Sequence, residues 1–279
     1  MNKRNTAGPN AIDVDTPSVA RMYDWLLGGI ENYQSDRDAC AELLDIAPST
    51  KELALNNRNF LRRVVRVLAK DYQIRQFVDH GSGLPTQDNV HQIAQRVDPA
   101  THVVYIDNDP IVLAHGRTTL EENEQTAIIQ ADMREQKNIV KDAEYKRLID
   151  HSKPTAALFV SVLHCIPDED ARTLVDTVRA RLNPGDFMVI CQLASERADV
   201  RDKVTHLMDV STGGRWGRVR KPEEVEAYFE GLEILDPGVG DSAGKHPLCD
   251  VTNWRADSQV VPRQKSQEWI EWGGVGRVL

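Results

Sequence analysis

Three acidic side chains follow successive apolar runs of the sequence, at points where they could bind one ligand. Asp79 opens the segment Asp79-x-Gly81-x-Gly83, Asp107 directly follows the second run, and Asp132 follows the third. Two glycines one residue apart permit a tight turn whose backbone comes close to a ligand, and an acid after a second strand can accept both hydroxyls of a ribose. Considered together, the acids and the turn predict a site for an adenosine-containing ligand.

Each of these features also has a plainer interpretation. Glycine turns of this kind occur in ordinary strand-to-helix connections, and Thr86 stands where a dinucleotide fingerprint has its third glycine. Asp109 is placed to cap the next helix, which leaves Asp107 for a ligand. Asp132 could also cap a helix, or it could accept a hydrogen bond from an exocyclic amine beside an apolar wall formed by Met133. Thr86 and Asp132 together disfavour a nicotinamide oxidoreductase.

The segments that must position these acids alternate short β-branched runs with amphipathic stretches. Runs that are apolar throughout are typical of strands in a sheet buried on both faces. Their alternation with helices indicates βαβ units, in which ligands bind beyond the carboxyl ends of the strands. The sequence therefore predicts an α/β fold with a doubly wound, mostly parallel sheet, and the predicted strands are 76–78, 102–106, 126–129, 156–162, 187–190, 232–235 and 275–279.

The part of the chain before these strands has helical patterning. Apolar residues at helical spacing predict a helix from Ser18 to the Gly28-Gly29 pair, a second from Asp36, and a third over about 49–70. The polar segment at 241–250 is predicted to be a loop. The expected organisation is a flexible tail at 1–15, an N-terminal helical cap at 16–72, and an α/β domain at 73–279 with inserted helices around 195–230.

Composition narrows the class of protein. The chain has 279 residues, a net charge of −9 and 41% hydrophobic residues, which suits one large or two small globular domains. The longest apolar stretch, 156–166, is shorter than the roughly 18 residues of a membrane span, and no secretory signal is present. The scattered cysteines form no C-x-x-C motif, and the acidic balance disfavours nucleic acid as a partner. We therefore expect a cytoplasmic protein that acts on a small molecule.

The motif series resembles that of class I S-adenosylmethionine-dependent methyltransferases. The resemblance rests on Asp79-x-Gly81-x-Gly83, on the two later acids, and on Ser161-Val162-Leu163-His164. More narrowly, the segments 17–29 and 56–63 are similar to an actinobacterial family of unassigned substrate, in which an N-terminal helical segment precedes a Rossmann-like domain. The resemblance implies a seven-stranded sheet and S-adenosyl-L-methionine as the cofactor.

The same resemblance implies a role for each matching residue. The glycine turn would approach the methionine part of the donor, Asp79 would anchor its amine, and Asp107 would hold the ribose. Asp132 would accept from the adenine amine, with Met133 against the ring. The helical cap would close over the donor through Tyr23 and the glycine pair. The residues assigned to the cofactor are Tyr23, Gly28, Gly29, Asp79, Gly81, Gly83, Asp107, Asn108, Asp132, Met133, Ser161 and Val162.

One histidine is a candidate catalytic base. His164 follows the predicted fourth strand, and a histidine can take up a proton near neutral pH. The alternative is a histidine that is hydrogen-bonded by the backbone or that caps the helix near Asp168. The predicted function is methyl transfer to an unidentified small-molecule acceptor. A nucleoside-binding regulatory protein without catalysis is the alternative.

Other clusters favour structural roles. The remaining histidines show no metal-ligand spacing with acidic partners, so no metal is predicted. The basic residues around Trp216 favour a solvated loop, with reception of an acidic acceptor as the alternative. Trp254, Trp269 and Trp272 are most simply core residues, although they could also form the contact of a homodimer.

Overall fold

A computed structural model describes residues 13–86, 88–238, 248–256 and 268–279. Residues 1–12 of the predicted tail and residues 241–247 of the predicted loop lie outside the described residues. Within the described ranges, no helix is both long enough and apolar enough to cross a bilayer.

The described elements alternate as the sequence predicts. The helices are α1 (Val19–Leu26), α2 (Gln34–Ile46), α3 (Thr50–Asp71), α4 (Val90–Gln95), α5 (Pro110–Thr119), α6 (Gln136–Ile139), α7 (Ala143–Leu148), α8 (Asp168–Arg179), α9 (Ala198–Ser211) and α10 (Pro222–Glu226). The strands are β1 (Gln76–His80), β2 (His102–Asp107), β3 (Thr126–Gln130), β4 (Thr155–Val160), β5 (Phe187–Ala194), β6 (Leu232–Ile234), β7 (Cys249–Asp250) and β8 (Ile270–Val278). Short 3-10 turns lie at Leu163–Cys165 and Ala227–Phe229.

The strands form one sheet in the order β3-β2-β1-β4-β5-β8-β6. Strands β1 to β5 pair in parallel, whereas β8 runs antiparallel to both β5 and β6. This order confirms the predicted α/β fold with a Rossmann-like, mostly parallel sheet. The sheet is doubly wound, because the chain runs outward from β1 to β3 and then returns to add β4 and β5 on the other side of β1. The two-residue β7 pairs with β8 beside this path, so the described sheet has one strand more than the seven expected.

The last strand differs from its prediction. The sequence predicts strand structure at 275–279, but β8 covers Ile270–Val278 and pairs along the whole of β5. Glycines inside the strand hide it from a pattern search, because they carry no side chain to mark a buried face. Gly273 is required there, since a Cβ at this position would lie 2.0 Å from the Ile190 carbonyl oxygen. Cys249–Asp250, predicted to be loop, pair with the same strand as β7.

Helix α3 joins two parts of the core. Its later residues, from Phe60 to Ala69, pack on the sheet together with α4 and α5. Its first turns, including Leu53 and Ala54, pack instead with α1, α2 and α9. The N-terminal helices are therefore tied both to the sheet and to the segment that follows β5.

Helices α1 and α2 are joined by a buried ion pair. Arg21 Nε donates to Asp36 Oδ2 over 2.8 Å, and both side chains are almost fully enclosed. The Asp36 carboxylate also accepts the backbone N–H groups of Ser18 and Tyr33 at 2.9 and 2.8 Å. These bonds fix the angle at which the chain enters the two helices.

Candidate functional site

The ends of the first three strands meet at one edge of the sheet. The N–H of Gly81 donates to the Ile106 carbonyl oxygen over 2.8 Å, and the N–H of Gly83 donates to Asp107 Oδ2 over 2.9 Å. The N–H of Ala131 donates to the Asp107 carbonyl oxygen over 2.9 Å. These bonds bring the predicted acids after β1, β2 and β3 to the same edge, where a parallel sheet binds ligands.

The two glycines of the turn differ in the space around them. Gly81 has φ +75°, and a Cβ there would lie 2.3 Å from Val162 Cγ2 and 3.2 Å from Met133 Cε. Gly83 has φ +65°, and a Cβ there would have no atom within 4 Å. The first glycine is needed because Val162 packs against the backbone, whereas the second presents open space to a ligand.

Asp107 is a buried carboxylate with acceptor capacity to spare. Its Oδ2 accepts from Gly83, and its Oδ1 accepts the N–H of Asp109 over 2.9 Å. Burial raises the pKa of Asp107 to about 6, while the backbone hydrogen bonds act in the opposite direction. An ionised carboxylate offers about four lone-pair positions, so both oxygens can still accept hydroxyl groups. Asn108, the neighbouring predicted residue, is exposed.

The predicted cap on the next helix is also present. Asp109 Oδ1 accepts the N–H of Ile111 over 3.0 Å at the start of α5, and its Oδ2 accepts the Ser18 hydroxyl over 2.5 Å. Asp109 therefore caps α5 as the sequence predicts, while the Asp107 carboxylate is bonded to the glycine turn.

Asp79 lies deeper than Asp107. Its side chain is buried on β1, and burial raises the pKa of Asp79 to about 7, with Arg58 opposing this shift and Asp107 adding to it. Arg58 belongs to α3 and donates to the Asp88 carbonyl oxygen over 2.8 Å. Sequence reasoning assigned no role to Arg58, although it lies within the segment 56–63 that carried the family resemblance.

Asp132 is engaged by a neighbouring cation. Arg134 donates Nε and Nη2 to the carboxylate at 3.0 and 2.6 Å, and the backbone N–H of Arg134 donates at 2.9 Å. Arg134 also pairs with Asp170 over 2.7 Å. These bonds hold the pKa of Asp132 below its usual range. An adenine amine can therefore reach this carboxylate only if Arg134 gives up part of its contact.

Tyr23 lies on α1 above the sheet edge and is fixed at its hydroxyl. The hydroxyl donates to the Ala54 carbonyl oxygen over 3.1 Å and accepts from Asn57 Nδ2 over 3.0 Å. Burial raises the pKa of Tyr23 to about 12, so the phenol is neutral. Both hydrogen bonds of the Tyr23 hydroxyl are therefore made to α3, and they fix the side chain within the helical cap.

Gly28 and Gly29 form an exposed turn beyond α1. Gly28 has φ +84°, and a Cβ at Gly29 would lie 1.9 Å from Asp24 Oδ1. Asp24 Oδ2 holds the following loop by accepting the N–H of Glu31 over 2.9 Å. Glu31 in turn pairs with His115 on α5 over 3.3 Å, so the loop reaches the helix that follows Asp107.

The end of β4 carries a second acidic group. Ser161 has φ +57°, and its hydroxyl donates a hydrogen bond to Glu271 Oε1 on β8. The Cys191 thiol of β5, between these strands, donates to Asn57 Oδ1 over 3.4 Å. Burial raises the pKa of Glu271 to about 8, against the effect of the Ser161 and Cys191 contacts. Sequence reasoning missed Glu271, because it lies before the residues predicted as the last strand.

His164 is enclosed behind the site edge. It is 2% exposed, its Nδ1 accepts the Leu193 N–H over 3.3 Å, and its ring lies 5.0 Å from that of Trp216. Burial, with the nearby Arg220 charge, lowers the pKa of His164 to about 3. This placement favours the alternative of a histidine bonded by the backbone over the candidate base.

One basic residue near Trp216 has a structural role, whereas Arg215 and Lys221 are exposed as a solvated loop predicts. Arg220, expected in a solvated loop, is 1% exposed and donates to the carbonyl oxygens of Leu163 and Ile166 at 2.9 and 3.0 Å. It also pairs with Asp168 over 2.8 Å. Its charge is enclosed because it satisfies the backbone of the 3-10 turn after β4, so it is committed to the protein and not to an acidic acceptor.

Comparison with known proteins agrees with this geometry. Two crystal structures match nearly the whole chain. A candidate methyltransferase from Thermobifida fusca is 35% identical, with a TM-score of 0.84 and coverage of 95% of this chain and 96% of that one. A DUF574-family protein from Streptomyces avermitilis is 30% identical, with a TM-score of 0.85 and coverage of 96% and 100%.

A search of the curated proteins found no match. The sequence profile of one family, described as S-adenosyl methyltransferase, matches residues 5–279. The family match and the two solved structures cover both the N-terminal helices and the sheet. The chain therefore belongs to the S-adenosyl methyltransferase family.

Proposed function

We propose that the protein binds S-adenosyl-L-methionine and transfers its methyl group to a small-molecule acceptor. The observation that carries the proposal is the Asp107 carboxylate, which is buried at the end of β2 and hydrogen-bonded to the open glycine of the turn. Asp79 is a second buried acid at this edge, and the charge of Asp107 adds to the raised pKa of Asp79. Family membership supports the same donor.

The described residues suit the donor part by part. Asp107 has lone pairs for two ribose hydroxyls, and Asp79 is a buried acid for the donor's ammonium group. Gly83 leaves the space into which the methionine part would extend. Met133 and Val162 line the turn with apolar atoms, which suits a purine ring and the carbon atoms next to sulfur.

The bound donor would supply a methyl group on a positively charged sulfur, ready for in-line displacement. The protein then has to hold the acceptor in line, keep water away and accept a proton. Positioning alone can contribute roughly 7–11 kcal/mol to such a reaction. The cap helices would provide the enclosure, because Tyr23 of α1 is bonded to Asn57 of α3, which in turn contacts Cys191 on β5.

Calorimetric titration tests the proposal. We expect S-adenosylhomocysteine to bind with one-to-one stoichiometry and NAD to give no binding heat at the same concentrations. A protein that binds NAD and not S-adenosylhomocysteine would refute the donor assignment. Methyl transfer from isotope-labelled donor to a panel of small metabolites then separates an enzyme from a nucleoside-binding regulatory protein.

A further inference from the structure

Glu271 is a buried carboxyl with one oxygen left unpaired. The side chain is 2% exposed, and its Oε1 accepts the Ser161 hydroxyl. Its Oε2 accepts no well-formed hydrogen bond from the residues that the structure describes, although the Cys191 thiol lies near the carboxyl and lowers its pKa. Buried polar atoms in native proteins are nearly always paired, and those that are not call for an explanation such as a ligand or a catalytic role.

The position of this oxygen favours a ligand. Ser161, its neighbour, directly precedes Val162, the residue that packs against Gly81 of the turn. The pKa of the Cys165 thiol is raised by burial and by the negative charges of Asp107 and Glu271, so both acids lie within electrostatic range of one side chain. Glu271 also pairs with Leu193 near the carboxyl end of β5, so it lies at the same edge of the sheet as the proposed donor site, on the side away from β2 and β3.

The surroundings of Glu271 come from four elements. Ser161 follows β4, Cys191 lies on β5, Asp250 lies on β7, and Tyr23 projects from α1. The Asp250 charge adds to the raised pKa of Glu271, and Glu271 in turn contributes to the raised pKa of Tyr23. The acid is thus enclosed by neutral or acidic groups, in an environment that suits uptake of a proton.

We propose that Glu271 is the proton acceptor for the methyl-accepting substrate, with Oε2 receiving the hydrogen of its attacking hydroxyl or amine. The proposal rests on the function proposed above. As the acceptor's oxygen or nitrogen bonds to the methyl carbon, the carbon–sulfur bond breaks and its electron pair stays on sulfur. The acceptor's proton passes to the Glu271 carboxylate and leaves later to solvent.

This assignment gives the acceptor a chemical requirement. Its nucleophile must carry a hydrogen, and that hydrogen must be able to point toward β8 while the lone pair points toward the donor. A carboxyl with a pKa near 8 is a stronger base than an exposed glutamate, and it is ionised above that pH. General bases of this kind contribute about 10²- to 10⁴-fold to a rate.

Two donor analogues test the position without an identified acceptor. S-adenosylhomocysteine lacks the methyl group. In sinefungin a carbon atom replaces the sulfur, and a primary ammonium group on that carbon replaces the methyl group. If Oε2 faces the reacting centre, the ammonium supplies its missing partner. We expect wild-type protein to bind sinefungin about tenfold or more tightly than S-adenosylhomocysteine, as for a charge-assisted hydrogen bond.

The variant Glu271→Gln keeps the size of the side chain but cannot ionise. We expect it to bind S-adenosylhomocysteine like the wild type and to lose the preference for sinefungin. Glu233→Gln is the matched control, because Glu233 is an exposed acid at the opposite edge of the sheet. It lies on β6 and pairs with Arg277 of β8, which in turn pairs with the first residue of β5. We expect this control to keep the preference.

A proton count on wild-type protein tests the same point without any variant. Glu271 is mostly protonated at pH 7 and must ionise to pair with an ammonium group. Both ligands carry the amino acid part that would meet Asp79, so any proton released there is common to both. We therefore expect sinefungin to release about one proton more than S-adenosylhomocysteine, measured from the dependence of the binding heat on the buffer.

The outcomes separate the two proposals. If S-adenosylhomocysteine does not bind, the proposed function fails, and the role of Glu271 fails with it. If it binds but sinefungin gains no affinity and releases no more protons than S-adenosylhomocysteine, only the role of Glu271 is refuted. Equal loss of both ligands in Glu271→Gln would place this acid at the amino acid part of the donor, which also overturns the proposal.

Discussion

The Asp107 carboxylate and the Gly83 N–H are joined by a 2.9 Å hydrogen bond across the ends of β2 and β1. The bond fixes the glycine turn relative to the acid that would hold the ribose. Both partners belong to the protein, so the bond itself sets the geometry of this part of the site.

Asp107→Asn is expected to weaken S-adenosylhomocysteine binding. Replacing a charged acceptor by a neutral amide removes about 1.5–3 kcal/mol of hydrogen bonding, or roughly 10- to 100-fold in affinity. Calorimetry measures the change. Asp98→Asn is the control, because Asp98 precedes β2 at its other end and pairs with Arg75 at the surface. Equal losses in the two variants would contradict the assignment.

Gly81→Ala is expected to cost more stability than Gly83→Ala. Both add strain at positive φ, on the order of 1–2 kcal/mol, but only the first places a methyl group within 2.3 Å of Val162. Denaturant unfolding of both variants measures the difference.

The same measurement on Gly81→Ala combined with Val162→Ala isolates the overlap. Removing the valine methyl groups makes room for the new one, so we expect the double variant to be more stable than the sum of the two single effects predicts. Additive effects would mean that the overlap contributes nothing.

Asp36→Ala is expected to destabilise the protein by about 3–5 kcal/mol, because it leaves the buried guanidinium of Arg21 without its anion. Two backbone N–H groups lose their acceptor as well. Urea unfolding gives the free energy. Glu144→Ala breaks an exposed pair with Arg147 and is expected to cost less than about 1 kcal/mol. A similar loss of unfolding free energy in both variants would show that the buried Arg21–Asp36 pair contributes no more to stability than an exposed pair.

Stability is expected to depend on pH through Glu271. Its pKa of about 8 in the folded protein exceeds that of an unfolded glutamate, so between about pH 4.5 and 8 the folded state holds the extra proton. Stability from this group is therefore present at low pH and is lost as pH rises toward 8. Asp79, with a pKa of about 7, acts in the same direction.

A comparison of wild type with Glu271→Gln isolates this contribution. Buried His80 and His164, whose pKa values are lowered by burial, act in the opposite direction at acid pH but are common to both proteins. We expect the stability of the wild type relative to the variant to fall between pH 6 and 8 by up to about 1.4 kcal/mol per unit. If the difference in unfolding free energy between the two proteins is the same at every pH in this range, Glu271 is not protonated in the folded protein as its burial predicts.

The meeting of the glycine turn and the strand-end acids at one edge of the sheet could be predicted because these features are local. Asp79, Gly81 and Gly83 lie within one turn, and Asp107 directly ends a strand that any apolar pattern reveals. Parallel strands bring such positions to the same edge regardless of the details of packing. The fold class follows from the same regular alternation.

The other side could not be predicted because it depends on distant contacts. Glu271 reaches Ser161 only through the antiparallel pairing of β8 with β5, and no local pattern shows which strand a glycine-rich segment will join. The enclosure of Arg220 could not be predicted for a related reason. This residue was expected in a solvated loop, but it is buried by contacts with residues far along the chain. The choice between the two alternatives for His164 likewise depends on a distant contact, with Leu193.

The sheet order has a consequence for biosynthesis. Edge strand β6 is made before β8 but hydrogen-bonds to it, so β6 has no neighbour in this order until β8 emerges from the ribosome. A chain that stops before residue 270 therefore lacks Glu271, and it leaves both β5 and β6 without the strand that lies between them.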